Sequence, residues 1–203
     1  SCTVNENTVY NSTIKQAIDN WYKTTTLETD ATTKSLVVDQ IFCNDRSATT
    51  SDSGTPGEIS GSMSTSTTYY YGAYVRLVTN KSPQLKCPTE SDKFTVNTSN
   101  GNGALTYPVG LITADEVAMA GGVYSSSNAN RSYYLYTNEY YWSGTPSYFR
   151  SDYSYAIEFF VATGGHIDDS RVDPARGARP VVSLSSKAKL SGNGTYSNPY
   201  KVS

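Results

Sequence analysis

The sequence predicts an α+β fold, a mostly antiparallel twisted sheet with two helices and extensive loops. Three observations carry this expectation. Segments near residues 13–23 and 114–120 have helix signals, and several short segments are rich in Tyr, Val, Ile and Phe. Between them run stretches of Ser, Thr, Asn and Gly with almost no large apolar side chain. Aromatic and β-branched residues suit a half-buried pleated surface, whereas polar stretches bury too little to offset their ordering entropy. At 203 residues the expected organisation is one domain, 1–203, with 1–45 as an N-terminal helical extension packed on it.

Taken in order, Asn11 or Ser12 caps a first helix in which Ile14, Ala17, Ile18, Trp21 and Tyr22 recur at steps of three and four. That spacing puts Trp21 on the buried face. A Thr-rich connection leads to Leu36–Phe42, a short strand or helical turn that ends at Cys43. Ser47 to Thr68 reads as a surface loop, and Tyr69 to Leu77 (YYYGAYVRL) as a strand. Residues 97–103 (NTSNGNG) form a turn. Thr113 and Glu116 have capping-box spacing, and Gly121 supplies a stop, so a short helix spans about Ala114–Ala120. Val123 to Asn130 is a loop, Tyr133 to Trp142 holds one or two strands, and the tail carries two turn signals of a closing hairpin.

Three cysteines leave one odd. Cys43 and Cys87 sit in similar strand-end contexts (IFCNDR and LKCPTE) and are a candidate disulfide, with two buried thiols as the alternative. Bonded, they imply an oxidising compartment. Cys2 is left without an assigned role. No spacing of Cys or His suits a metal site, and no metal or other cofactor is expected.

The last quarter of the chain, Tyr140 to Leu184, has core-like ends and a crowded middle. Tyr148, Phe149, Arg150, Asp152, Tyr153, Tyr155, His166, Asp168, Asp169, Arg171 and Asp173 are too bulky and charged to pack inward together. A rigid frame carrying a Tyr/Ser/Gly/Asp/Arg face has the composition of a binding surface. These residues are therefore the candidate ligand-binding set. Trp142 and Arg179 are read as structural, with Arg179 needing a carboxylate or carbonyls if buried.

Catalytic readings fare worse. His166 is the single histidine, so neither a His-based metal set nor a triad is supported. Asp168, Asp169 and Asp173 do not have the spacing of a calcium loop. Asp152 and Glu158 are separated by sequence that fixes no distance between their carboxyls. An enzyme is not expected.

The aromatic-Trp-Ser segment Tyr141 to Ser147 and the later Gly-x-Arg-Pro-Val at Gly177 to Val181 resemble the C-type-lectin-like fold. They are similar to bacterial major-paralogous-type surface domains and to the variable proteins of diversity-generating retroelements. Adenine-directed mutagenesis in those proteins never yields Lys, Gln, Glu, Met or Trp. Between Ser143 and Val181 only Glu158 falls outside that alphabet. The resemblance, which covers about Tyr107 to the C-terminus, implies a non-catalytic, adhesin-like or pilin-like module at a bacterial cell surface. Its implied partner is a protein or glycan on another cell or phage host. The sugar-binding calcium motifs of animal C-type lectins are absent, as is the C-terminal cysteine pair of formylglycine-generating enzymes. A structural subunit of a surface filament or phage fibre is the competing expectation.

A net charge of −2 with few charged residues argues against a nucleic-acid surface. No run of eighteen apolar residues exists to span a membrane. The abrupt start at Ser1-Cys2 is that expected of a mature or trimmed product.

Overall fold

The computed structural model describes residues 12–58, 64, 66–153, 155–195, 197–198 and 200–202. Cys2 and the alternative cap Asn11 lie outside them. Helix α1 (Thr13–Tyr22) starts where Ser12 accepts a hydrogen bond from the Lys15 amide. Two single turns follow, α2 (Thr26–Thr29) and α3 (Ala31–Lys34). Next come α4 (Gly72–Tyr74), which runs on as a π-turn over Val75–Thr79, and α5 (Ala114–Ala120). The capping box expected of α5 is present: the Thr113 side chain takes the Glu116 amide, and the Glu116 carboxylate takes the Thr113 amide. Gly121 closes the helix at φ 121°, a conformation that favours glycine.

The strands are β1 (Val37–Val38), β2 (Phe42–Cys43), β3 (Ala48–Thr49), β4 (Thr68–Tyr71), β5 (Lys93–Phe94), β6 (Gly110–Leu111) and β7 (Tyr141–Arg150). After them come β8 (Tyr155–Val161), β9 (Ile167–Arg171), β10 (Gly177–Ala178), β11 (Pro180–Val181), β12 (Ser183–Leu184), β13 (Leu190–Ser191) and β14 (Lys201–Val202). The main sheet runs β3-β4-β7-β8-β9, antiparallel throughout, and β10 joins β7 in parallel. Four two-stranded antiparallel pairs surround it: β1-β12, β2-β5, β6-β11 and β13-β14. The fold is therefore mixed α/β with mostly antiparallel sheets and few helices.

Strand alternation gives the sheet an inner and an outer face. Tyr141, Phe159, Val161 and Ile167 point inward and pack with Ala73 and Leu77 of the α4 segment and Val117 of α5. Outside, Trp142, Phe160 and Ala162 form a smaller cluster, against which Ile14 of α1 and Leu111 pack. Trp142 is buried, as its core-like context predicts. Pro146 breaks the ladder of β7, because it has no amide to donate. The register slips on both sides of it, from Trp142↔Phe160 to Pro146↔Glu158 and on to Tyr148↔Ile157.

Three local expectations are corrected. Trp21 is 44% exposed, because the buried stripe of α1 follows Ile14, Ile18 and Tyr22 at steps of four. Tyr22 takes the inward place, packing on Tyr107 at 5.5 Å between ring centroids. The segment Tyr69 to Leu77 is strand only as far as Tyr71, then helical. Gly72 lies so close to Asp45 that a Cβ would meet its carboxylate at 2.5 Å. The following turns bury Ala73 and Leu77 and swing Arg76 between two acids. Finally, Tyr133 to Tyr140 forms no strand, and β7 begins only at Tyr141. Those residues are irregular chain, anchored where the Leu135 carbonyl accepts from Tyr141 and Arg179.

Cys43 and Cys87 are disulfide-bonded, with Cα atoms 5.5 Å apart and 44 residues between them in sequence. Cys43 lies on β2, which pairs with β5, so the bond braces that pair against the chain leading into Glu90–Asp92. Among the described residues no helix is long and apolar enough to cross a membrane.

Candidate functional site

The antiparallel hairpin β7-β8 and its neighbour β9 carry nearly all of the candidate binding residues. Register decides which face each one takes. Arg150 stands opposite Tyr155, Tyr148 and Arg171 opposite Ile157, and Asp169 opposite Phe159. These seven residues, five of them candidates, share the inner face of the sheet. Phe149 and Asp168, each one step out of phase, lie on the outer face.

On the inner face the residues separate into two layers. The deeper layer centres on Asp169. Its carboxylate accepts hydrogen bonds from Ser147 Oγ at 2.6 Å and Tyr124 OH at 3.1 Å. Tyr148 stands beside it, with Tyr70 at 6.0 Å and Tyr74 edge-on at 5.8 Å. Burial raises the Asp169 carboxyl above its ordinary value despite the two hydrogen bonds. Burial and the Asp169 charge likewise raise the Tyr74, Tyr124 and Tyr148 hydroxyls. This layer is tied down and half-buried.

The second layer is the hairpin end, and it faces solvent. The rings of Tyr153 and Tyr155 stack at 5.6 Å with 17° between their planes. Arg150 lies over Tyr153 at 4.5 Å, and Arg171 over Tyr155 at 4.7 Å. Each guanidinium also pairs with an acid, Arg150 with Asp152 at 2.9 Å and Arg171 with Asp173 at 3.1 Å. Tyr153 is 57% exposed and Tyr155 37%. The result is a four-member ladder, Arg150, Tyr153, Tyr155 and Arg171, with one acid beside each arginine. Chemically it offers flat aromatic edges, fixed cations and hydrogen-bond acceptors.

His166 sits apart, in the turn between β8 and β9, its Nε2 3.8 Å from Asp168 and its Nδ1 buried without a partner. Asp168 and Asp169 diverge to opposite faces. Among the described residues no three His, Cys, Asp or Glu side chains gather as metal ligands. Arg179 donates to the Leu135 carbonyl at 2.6 Å and lies over the Tyr141 ring, half-buried.

Sequence reasoning missed the partners that come from elsewhere in the chain. Tyr70, Tyr74 and Tyr124 reach the site from β4, α4 and the loop after α5. Only the unusual density of Tyr pointed toward them. Ser147 reaches Asp169 because it is the extra residue in the slip after Pro146.

No protein-family model, curated protein or solved structure was found to match this chain.

Proposed function

We propose that this chain is a non-catalytic, extracellular recognition module of C-type-lectin-like type, and that the exposed end of the β7-β8 hairpin contacts a protein or glycan on another cell. The observation that carries the reading is the ladder of Arg150, Tyr153, Tyr155 and Arg171, solvent-facing yet set at the ends of three paired strands and the turn between two of them. Tyr and Arg dominate binding hot spots because they offer large contact area and directed hydrogen bonds. Stacking also fixes the two rings before any partner arrives, which reduces the entropy cost of binding. The Cys43–Cys87 disulfide supports an oxidising location.

Labelled protein tested on a glycan array and on a panel of intact cells examines this reading. Binding is expected, and Tyr153→Ala or Arg171→Ala is expected to weaken it by about 1–3 kcal/mol. Unchanged binding by the Tyr153→Ala/Tyr155→Ala double variant would place recognition elsewhere.

A further inference from the structure

On the outer face of the same sheet, away from the tyrosine ladder, a cavity of about 940 Å³ opens between α1 and β7-β8. It is at the upper end of the size range of small-molecule sites, roughly 300–1,000 Å³. Its walls are mainly apolar: Ile14 and Ile18 from α1, Phe42, Leu111 and Trp142. Glu158 lines it from the middle of β8, flanked across the strands by Pro146 and Ser170.

Two charged side chains around this cavity, Glu158 and Arg176, are left out of the ion pairs among the described residues. Lys15 is paired with Asp19, Arg46 with Asp92, and Asp173 with Arg171. Arg176 lies over the Phe160 ring at 3.7 Å and near the Trp142 and Tyr140 rings. Glu158 is the one acid of the lining with neither an ion pair nor a hydrogen bond among the described residues, and burial raises its carboxyl to about 7. Arg176 also has no ion pair among them, and its Nε is buried without a hydrogen-bond partner, but its guanidinium is taken up by the rings. A half-buried carboxyl left without a partner is costly. Here it faces a space large enough to admit one.

We propose that this cavity binds an aliphatic primary ammonium, with the Glu158 carboxylate accepting its N–H groups and the apolar walls enclosing its carbon chain. A carboxylate ligand would meet Glu158 as a like charge. A quaternary ammonium has no N–H to donate, and Arg176 already lies over the neighbouring rings. An alkylammonium satisfies both the unpaired acid and the apolar walls. The same chemistry comes from a free alkylamine or from a lysine side chain of another protein.

The test is titration of the full chain by NMR with n-hexylamine, hexanoate and hexyltrimethylammonium, and with two capped peptides, Leu-Lys-Leu and its Nε-acetyl-lysine counterpart. Shifts of residues lining the cavity are expected with hexylamine, the lysine peptide or both. A response to the peptide alone identifies a lysine side chain as the source. Glu158→Gln is isosteric and uncharged, and it is expected to weaken binding about tenfold or more, the value of one charge-assisted hydrogen bond. Wild-type binding should also fall between about pH 8 and pH 5 as Glu158 takes up a proton. No shift with any amine, equal or tighter binding of hexanoate or the quaternary ion, or affinity unchanged in both Glu158→Gln and acid, would each overturn the proposal.

Discussion

Arg76 grips Asp115 through two parallel hydrogen bonds, Nε to Oδ1 at 3.0 Å and Nη2 to Oδ2 at 2.9 Å. Its remaining nitrogen, Nη1, reaches Asp45 at 2.6 Å, and the Gln84 amide completes Asp115 at 3.0 Å. One guanidinium thus ties together the loop before β3, the α4 segment and α5. All three side chains are largely shielded from water. Arg76→Ala would leave two buried carboxylates uncompensated and is expected to cost roughly 3–5 kcal/mol. Arg76→Lys keeps the charge but loses the fork, so it should fall between the two. Urea unfolding followed by circular dichroism measures both.

Reducing the Cys43–Cys87 bond is expected to lower stability by about 3–4 kcal/mol in the chain-entropy model. Protein prepared without reductant should give one linked peptide pair on digestion, whereas two freely alkylatable thiols would contradict the bond.

Trp142 and Tyr153 should respond oppositely to truncation. Trp142 is buried against Phe160, edge to face at 5.8 Å, and Trp142→Ala is expected to cost roughly 3–5 kcal/mol of stability. Tyr153→Ala removes an exposed ring together with its stack on Tyr155 and its contact with Arg150, and should cost no more than about 1 kcal/mol. Paired denaturant curves decide the matter.

Glu158 makes stability depend on pH in the direction opposite to a salt-bridged acid. Its carboxyl titrates near 7 when folded, against about 4.3 in an unfolded chain. Between those values the folded state holds more protons, so the group's contribution falls as pH rises through that window. The penalty is absent below about pH 4 and complete above about pH 7, where it is on the order of 3–4 kcal/mol. Glu158→Gln should therefore stabilise the protein at neutral pH and leave it unchanged at about pH 4. Thermal melts of both proteins across that range provide the comparison.

The parts of this fold legible in sequence were those fixed by local chemistry. The capping box of Thr113 and Glu116, the Ser12 cap and the buried Trp142 all follow from neighbouring residues. So did the pairing of two cysteines in similar contexts. What failed depended on distant partners. Tyr69 to Leu77 has the composition of a strand, yet Arg76 must meet Asp45 and Asp115, and only a helical turn after Gly72 brings it there. Trp21 was lost to a one-residue choice of helix stripe. In the candidate site the exposed tyrosines and arginines were visible as a composition. Their division into an anchored layer around Asp169 and a free layer at the hairpin end was not, because it rests on the register slips beside Pro146.

Those slips separate two tasks within one strand. Before Pro146 the residues of β7 alternate to suit the core, with Tyr141 inside and Trp142 outside. After it the alternation restarts, and the side chains from Tyr148 onward are aimed by a new phase. The ladder at the hairpin end contacts itself and its own ion pairs rather than the buried clusters. None of its members belongs to either buried cluster, so their replacement is expected to leave the packing around Phe159 and Val161 in place. One strand thus serves the interior over its first half and the surface over its second, with the change of phase at Pro146 keeping the two sets of side chains apart.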